Sequence, residues 1–114
     1  MQIERFHRGP RMSQVVRHGA TIYLAGQVGD PETGIKEQTE QALAAVDALL
    51  AEAGSSKSKA LQVIVWLADI ADFDAMNAVY DSWIDPEAPP VRACGESRLT
   101  APGYRVEFIV AAAR

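Results

Sequence analysis

The sequence predicts one domain in which a β-sheet carries two helices, and three observations lead to that reading. Two stretches, from about Lys36 to Ala53 and from Asp72 to Ile84, repeat apolar residues at three- and four-residue steps. Between them, Leu61 to Leu67 reads Leu-Gln-Val-Ile-Val-Trp-Leu, a short run that is apolar on both faces. Strand, helix and strand follow one another twice, which argues for right-handed crossovers between parallel strands. A chain of 114 residues has room for one core, so residues 1–114 are read as a single domain.

Gln2 to Phe6 reads as a short strand closed by Gly9-Pro10. Ser13 to Arg17 and Thr21 to Ala25 are β-rich runs separated by His18-Gly19-Ala20, a hairpin signal. Gly26-Gln27-Val28-Gly29 and the polar turn Asp30 to Gly34 lead into the first helix. Ala42, Leu43, Val46, Leu49, Leu50 and Ala53 form the helix's apolar stripe, and Gly54 ends it as a C-terminal cap. Ser55 to Lys59 has the composition of one further turn. In the strand Leu61 to Leu67, Leu61, Val63, Val65 and Leu67 share one face, and Ile64 and Trp66 the other. Helices cover one face, and a neighbouring subunit is the expected cover for the second. Asp72 is placed to cap the second helix, whose stripe is Phe73, Met76, Val79, Tyr80 and Trp83. Pro86, Pro89 and Pro90 end it. Val91 to Ser97 and Tyr104 to about Ala112 are the last two strands, joined by the turn Thr100-Ala101-Pro102-Gly103.

Apolar residues make up 48% of the chain and charged residues 23%, the balance of a folded globular protein. A net charge of −4 with only scattered Lys and Arg leaves no footprint for gripping a phosphate backbone, so no nucleic-acid partner is expected. Cys94 is the single cysteine and cannot form an internal disulfide. No Cys/His cluster has metal-ligand spacing, so no metal is expected. The N-terminus lacks an apolar leader and no run approaches the roughly eighteen residues of a membrane span, which reads as a cytoplasmic protein with no membrane partner.

Two charges stand where strands prefer none. Arg92 lies in the run Pro90-Val91-Arg92-Ala93-Cys94, and Glu107 interrupts the most apolar part of the C-terminus. Each is either paired structurally or faces a cavity that uses it, because burying a lone charge is costly. The structural alternative for Arg92 is a pair with Glu96 or Asp85, and for Glu107 a salt bridge. The functional alternative is that a guanidinium grips a carboxylate through two hydrogen bonds while a nearby Glu holds or deprotonates a water. His7 and His18 read as turn or surface residues. Tyr80, Trp66, Trp83 and Tyr104 read as core, strand or interface aromatics. Nothing near Cys94 in the sequence would activate its sulfur.

With those residues in place, the chain resembles the Rid family, the imine deaminases also called RidA-like or YjgF-like proteins. The resemblance rests on Ala25-Gly26-Gln27, Asp72-Phe73 with Asn77 and Tyr80, Pro90 to Cys94, and Val106-Glu107. It implies a chorismate-mutase-like α+β fold: a mixed six-stranded sheet with two helices on one face, assembled as a homotrimer with sites in the clefts between subunits. It places the last strand between two parallel ones, so that Arg92 and Glu107 need not be hairpin neighbours. The implied activity is hydrolysis of enamine and imine intermediates such as 2-aminoacrylate to 2-keto acids and ammonia, with no cofactor. Arg92 would clamp the substrate carboxylate and Glu107 would orient or activate water. The Cys94 backbone would bond the ligand, while Asn77 and Gly26 line the pocket. Met12 and Ala25 stand where better-known members carry a Tyr and a Ser, so two hydroxyls are missing from the expected pocket. The rival reading is a non-catalytic sensor of small carboxylates, or a chaperone-like module, using the same cleft.

Overall fold

Along the last strand burial alternates with period two: Val106, Phe108, Val110 and Ala112 are buried, and Glu107, Ile109 and Ala111 are less so. That strand is the centre of the sheet. The structure, a computed structural model, describes all residues Met1–Arg114. The elements are β1 (Ile3–Phe6), β2 (Val15–His18), β3 (Thr21–Leu24), α1 (Ile35–Glu52), β4 (Ala60–Leu67), α2 (Phe73–Trp83), β5 (Val91–Glu96) and β6 (Val106–Ala113). They form an α+β domain with a mixed six-stranded sheet ordered β1-β2-β3-β6-β4-β5. β6 runs antiparallel to both β3 and β4, so those two flanking strands are parallel to each other, and β5 is parallel to β4. The two helices therefore serve as the expected crossovers.

β2 and β3 meet in a two-residue turn, with His18 opposite Thr21 and Gly19 at φ +62°, a conformation that favours glycine. α1 ends in a Schellman motif. The Gly54 N–H donates to the Ala51 carbonyl and the Ser55 N–H to the Leu50 carbonyl, with Gly54 at φ +86°. The residues after it make a short 3₁₀ turn at Lys57–Lys59, as the composition suggested.

Three details differ from the sequence reading. Leu61 does not share the buried face with Val63, Val65 and Leu67. The ladder shifts register between Ala60 and Gln62, and the bulge leaves Leu61 half exposed. Asp72 occupies the N-cap position of α2 but makes no capping bond, while Asp69 accepts the Ala71 N–H in the 3₁₀ turn Ile70–Asp72 just before it. Tyr104 precedes β6 instead of belonging to it, because the next residue, Arg105, is drawn to α1 by its backbone N–H.

The core lies between the helices and one face of the sheet, around Phe108, Ile22, Leu43, Leu50, Leu67 and Met76. The Trp83 indole N–H donates to the Asp47 carboxylate at 3.0 Å, which ties α2 to α1. Phe108 lies in the middle, stacked on Tyr80 at 6.4 Å between ring centroids with an 8° interplanar angle. Truncating it removes a fully buried ring, so Phe108→Ala is expected to cost about 3–5 kcal/mol of stability. Chemical denaturation of the purified protein checks this, and a loss below about 1 kcal/mol would mean that the ring is not part of the packed core.

Candidate functional site

The registers decide which face each site residue occupies. Arg92 pairs with Val63 and Cys94 with Val65, so both side chains point to the helix-covered face. Glu107 pairs with Trp66, which pairs on its other side with Gly95, so Glu107 points to the bare face. β4 also lies between their strands. Within one chain the two charges are on opposite sides of the sheet and cannot meet.

Arg92 projects onto α2. Its Nη1 donates to Asn77 Oδ1 at 2.8 Å, and its guanidinium carbon lies 4.7 Å from the Tyr80 ring centroid and 5.9 Å from that of Phe73. Phe73, Asn77 and Tyr80 are spaced by four and three residues, one face of a helix, and together they cradle the cation. The structural alternatives for Arg92 do not occur. The Glu96 carboxylate accepts the Ile70 N–H, and Asp85 accepts the Ser58 hydroxyl and the Glu87 N–H. The chain's three ion pairs are His7 with Glu52, Arg17 with Glu4, and Arg105 with Asp72. Arg92 thus keeps a whole charge with no carboxylate beside it, and the donors not given to Asn77 are available to an anion.

The surroundings bear the mark of that charge. Burial pushes the Tyr80 phenol and the Cys94 thiol above their ordinary pKa values, and the nearby Arg92 pulls each partly back. A raised thiol pKa leaves little thiolate at neutral pH, which fits a Cys94 whose sulfur takes no part in chemistry. β5 is an edge strand, so the backbone groups on its side away from β4 are open to a ligand or a neighbour.

Glu107 is seated by a second set of residues. Tyr23 pairs with Ala111 and Gln27 with Phe108, so four steps on the first strand face three on the last; this is a bulge, and it carries Ala25 and Gly26 past Glu107. Gln27 and Phe108 exchange both backbone bonds, at 2.8 and 3.0 Å, and the Gln27 side chain donates to Gln14 Oε1 and the Ala25 carbonyl. A Cβ added at Gly26 would lie 1.8 Å from Glu107 Oε2, so the carboxylate rests directly on the glycine. Glu107 is partly buried and makes neither an ion pair nor a side-chain hydrogen bond within the chain. Met12 is half exposed in the turn where the Gly9 N–H bonds the Met12 carbonyl, and Ala25 is partly buried.

The structure thus sorts six of the seven expected site residues into two groups, and Met12, in its own turn, joins neither. Arg92, Asn77 and Cys94 lie together on α2 and the edge strand, and Glu107 lies with Gly26, next to Ala25. Tyr80 and Phe73, read from sequence as packing residues, are the part that reading missed. Their spacing around Asn77 was the available signal. No three or more His, Cys, Asp or Glu side chains converge as metal ligands. A concavity of ≈ 780 Å³ lies along the β5–β6 loop between Ala68 and Tyr104, and neither Arg92 nor Glu107 lines it.

Comparison with known proteins finds relatives of the whole chain. The sequence model of the endoribonuclease L-PSP family matches residues 4–114. A RutC family protein of Haemophilus influenzae is 40% identical over 116 residues, covering 98% of each chain. A crystal structure of a YjgF family member from Neisseria meningitidis superposes with a TM-score of 0.95 at 40% identity, covering 100% of this chain and 96% of that one. A Rid family protein from Yersinia pestis superposes with a TM-score of 0.86 at 26% identity, covering 94% and 90%.

The Gly26 contact generates a test. In Gly26→Ala the new methyl meets only the end of a flexible side chain, so the fold is expected to survive while the Glu107 carboxylate swings off its seat. A crystal structure of the variant checks this, and a carboxylate still in place would mean that Gly26 does not determine its position.

Proposed function

The chain belongs to the endoribonuclease L-PSP family, the group of the RutC, YjgF and Rid proteins, and from that premise we propose that it is a cofactor-independent deaminase of small carboxylate-bearing imines and enamines. The observation that carries the reading is Arg92: a partly buried guanidinium aimed by a neutral amide and two rings, with no acid to neutralise it. Such a group binds a substrate carboxylate through two hydrogen bonds.

The reaction is a hydrolysis. An enamine such as 2-aminoacrylate tautomerises to its imine, and water adds across the C=N bond. Glu107 takes a proton from that water as its oxygen bonds to the carbon of the N-protonated imine, whose C=N π electrons pass to nitrogen and leave a neutral carbinolamine. The carbinolamine nitrogen then receives a proton, the C–N bond breaks as ammonia leaves, and the hydroxyl oxygen forms the C=O of the 2-keto acid as it gives up its proton to solvent. Glu107 acts as general base in the first step and returns the proton in the second.

Since Arg92 and Glu107 lie on opposite faces of one sheet, the cleft that unites them forms between subunits, with Arg92, Asn77 and Cys94 from one and Glu107, Gly26, Ala25 and Met12 from the next. A homotrimer closes three such clefts by symmetry. The bare sheet face supports this. Ile64, Trp66, Ile109 and Ala111 lie across its middle, and Tyr23 and Val91 are 53% and 68% exposed. An apolar face of that kind on a small domain marks an interface. A net charge of −4 and the lack of a histidine pair suited to acid–base cleavage argue against a nuclease. The second reading, a carboxylate sensor without turnover, draws on the absence of hydroxyls at Met12 and Ala25.

Two measurements separate these readings. In a coupled assay with a pyridoxal-phosphate dehydratase that generates 2-aminoacrylate, the wild-type protein accelerates pyruvate release. Arg92→Ala lowers kcat/KM roughly 10- to 150-fold, the equivalent of one charged bidentate contact. Glu107→Gln lowers kcat by roughly 10² to 10⁴ while leaving 2-ketobutyrate binding in place. Saturable 2-ketobutyrate binding with no acceleration would select the sensor, and an Arg92→Ala protein as active as wild type would end both readings.

The shared cleft has its own test. Arg92→Ala and Glu107→Gln chains, each inactive alone, are unfolded and refolded together in equal amounts. Random assembly gives about one cleft in four with both groups intact, so roughly a quarter of wild-type activity returns. No recovery in a mixture proven to contain hybrid oligomers would place both residues in one subunit's site and overturn the arrangement.

A further inference from the structure

Two polar residues of the chain are fully buried, Gln38 and Thr39, both near the start of α1. Thr39 returns its hydroxyl to the Ile35 carbonyl at 2.7 Å, within its own helix. Gln38 is used differently. Its Nε2 donates to the Thr33 carbonyl and to the Gly103 carbonyl, both at 2.9 Å, and its Oε1 accepts the Arg105 N–H at 2.8 Å. The amide is fully satisfied, and two of its three bonds reach a loop sixty-five and sixty-seven residues away in sequence.

That loop delivers Glu107. Arg105 stands two residues before it, and its backbone is held on both sides, the N–H by Gln38 and the carbonyl by the Ala68 N–H at 3.0 Å. The Arg105 side chain approaches Asp72, whose buried Oδ2 has no hydrogen-bond partner. Gly103, at φ +94°, packs so closely on Pro31 that an added Cβ would lie 2.9 Å from the Pro31 carbonyl oxygen. The opposite wall of the Glu107 seat refers to the same residue. Gly26 and Gln27 run on to Gly29, where an added Cβ would lie 2.7 Å from the Gln38 Cα. The strand under the carboxylate and the strand that bears it are thus both gauged against Gln38.

We propose that Gln38 is a positioning residue for Glu107: through Arg105 and Gly103 on one side and Gly29 on the other, it fixes where the carboxylate rests above Gly26. The role of Glu107 as the group that activates water is the reading given above, and this inference rests on it. Gln38 touches no substrate.

The test is Gln38→Met, which keeps length and volume and removes all three bonds. A misplacement of about 1 Å lowers kcat roughly 10- to 100-fold while KM stays within about twofold. In a Glu107→Gln background the same substitution costs nothing further, because there is no carboxylate left to misplace. An equal loss in both backgrounds, or a loss confined to KM, overturns the proposal. A crystal structure of Gln38→Met reads the position without reference to activity, and the carboxylate is expected about 1 Å or more from its seat. A carboxylate that has not moved overturns the proposal. A displaced carboxylate in a protein whose wild type turns over no imine upholds the positioning and refutes the deaminase. Should Gln38→Met fail to fold, Gln38→Glu keeps the shape and the acceptor for Arg105 but turns an oxygen toward the Gly103 carbonyl. The same displacement is expected in its crystal structure, and an unmoved carboxylate again overturns the proposal.

Discussion

Arg92 carries a full charge that no carboxylate in the chain neutralises, and much of the local structure is arranged to make that tolerable. A single amide oxygen meets one nitrogen, and the Tyr80 and Phe73 rings flank the guanidinium. Such contacts are worth about 1.5–3 kcal/mol for the charged hydrogen bond and roughly 0.5–2 kcal/mol for a cation over a ring. They aim the group without quenching it. An ion pair would have stabilised the fold in the same place and closed the site, so the choice of a neutral amide is the one that keeps the cation available.

The cradle depends in turn on the core. The Tyr80 ring lies against Arg92 and is also stacked on Phe108, whose neighbour in β6 is Glu107. One strand therefore contributes a residue to each face: Phe108 packs against Tyr80 of the Arg92 cradle, and Glu107 faces the other way. Strand alternation couples the Arg92 cradle and the Glu107 seat through adjacent residues of a single backbone, so a shift of β6 along its axis would disturb both.

Most of the element order was legible in the sequence because burial stamps a period on it. The apolar stripe of α1, the doubly apolar β4 and the glycine at φ +86° after α1 each leave a pattern that elementary geometry reads directly. What escaped was set by contacts distant in sequence. The bulge at Leu61 arises from pairing with Ala111 and Ala112, and Tyr104 leaves the strand because Gln38 takes the next backbone N–H. Arg92 and Glu107 were legible as charges out of place, while the other five expected site residues came from the resemblance alone, and the face each would occupy was not legible. That depends on register across three strands, which no local pattern encodes. Tyr80 shows the limit well, since an aromatic at helical spacing reads as core, and it is core, while its ring also lies against Arg92.

The division of the two charges between opposite faces has a physical logic. Were Arg92 and Glu107 within about 4 Å on one face, their attraction would be on the order of 4 kcal/mol at the effective dielectric of a protein surface. That exceeds the roughly 1.5–3 kcal/mol a charged hydrogen bond contributes, so an arriving carboxylate would have to break the pair to bind. The sheet prevents this. It separates the cation from the acid by its own thickness and by β4. In the proposed cleft the gap between the groups is then a property of rigid bodies in contact, and a substrate fits between them without first undoing an internal bond.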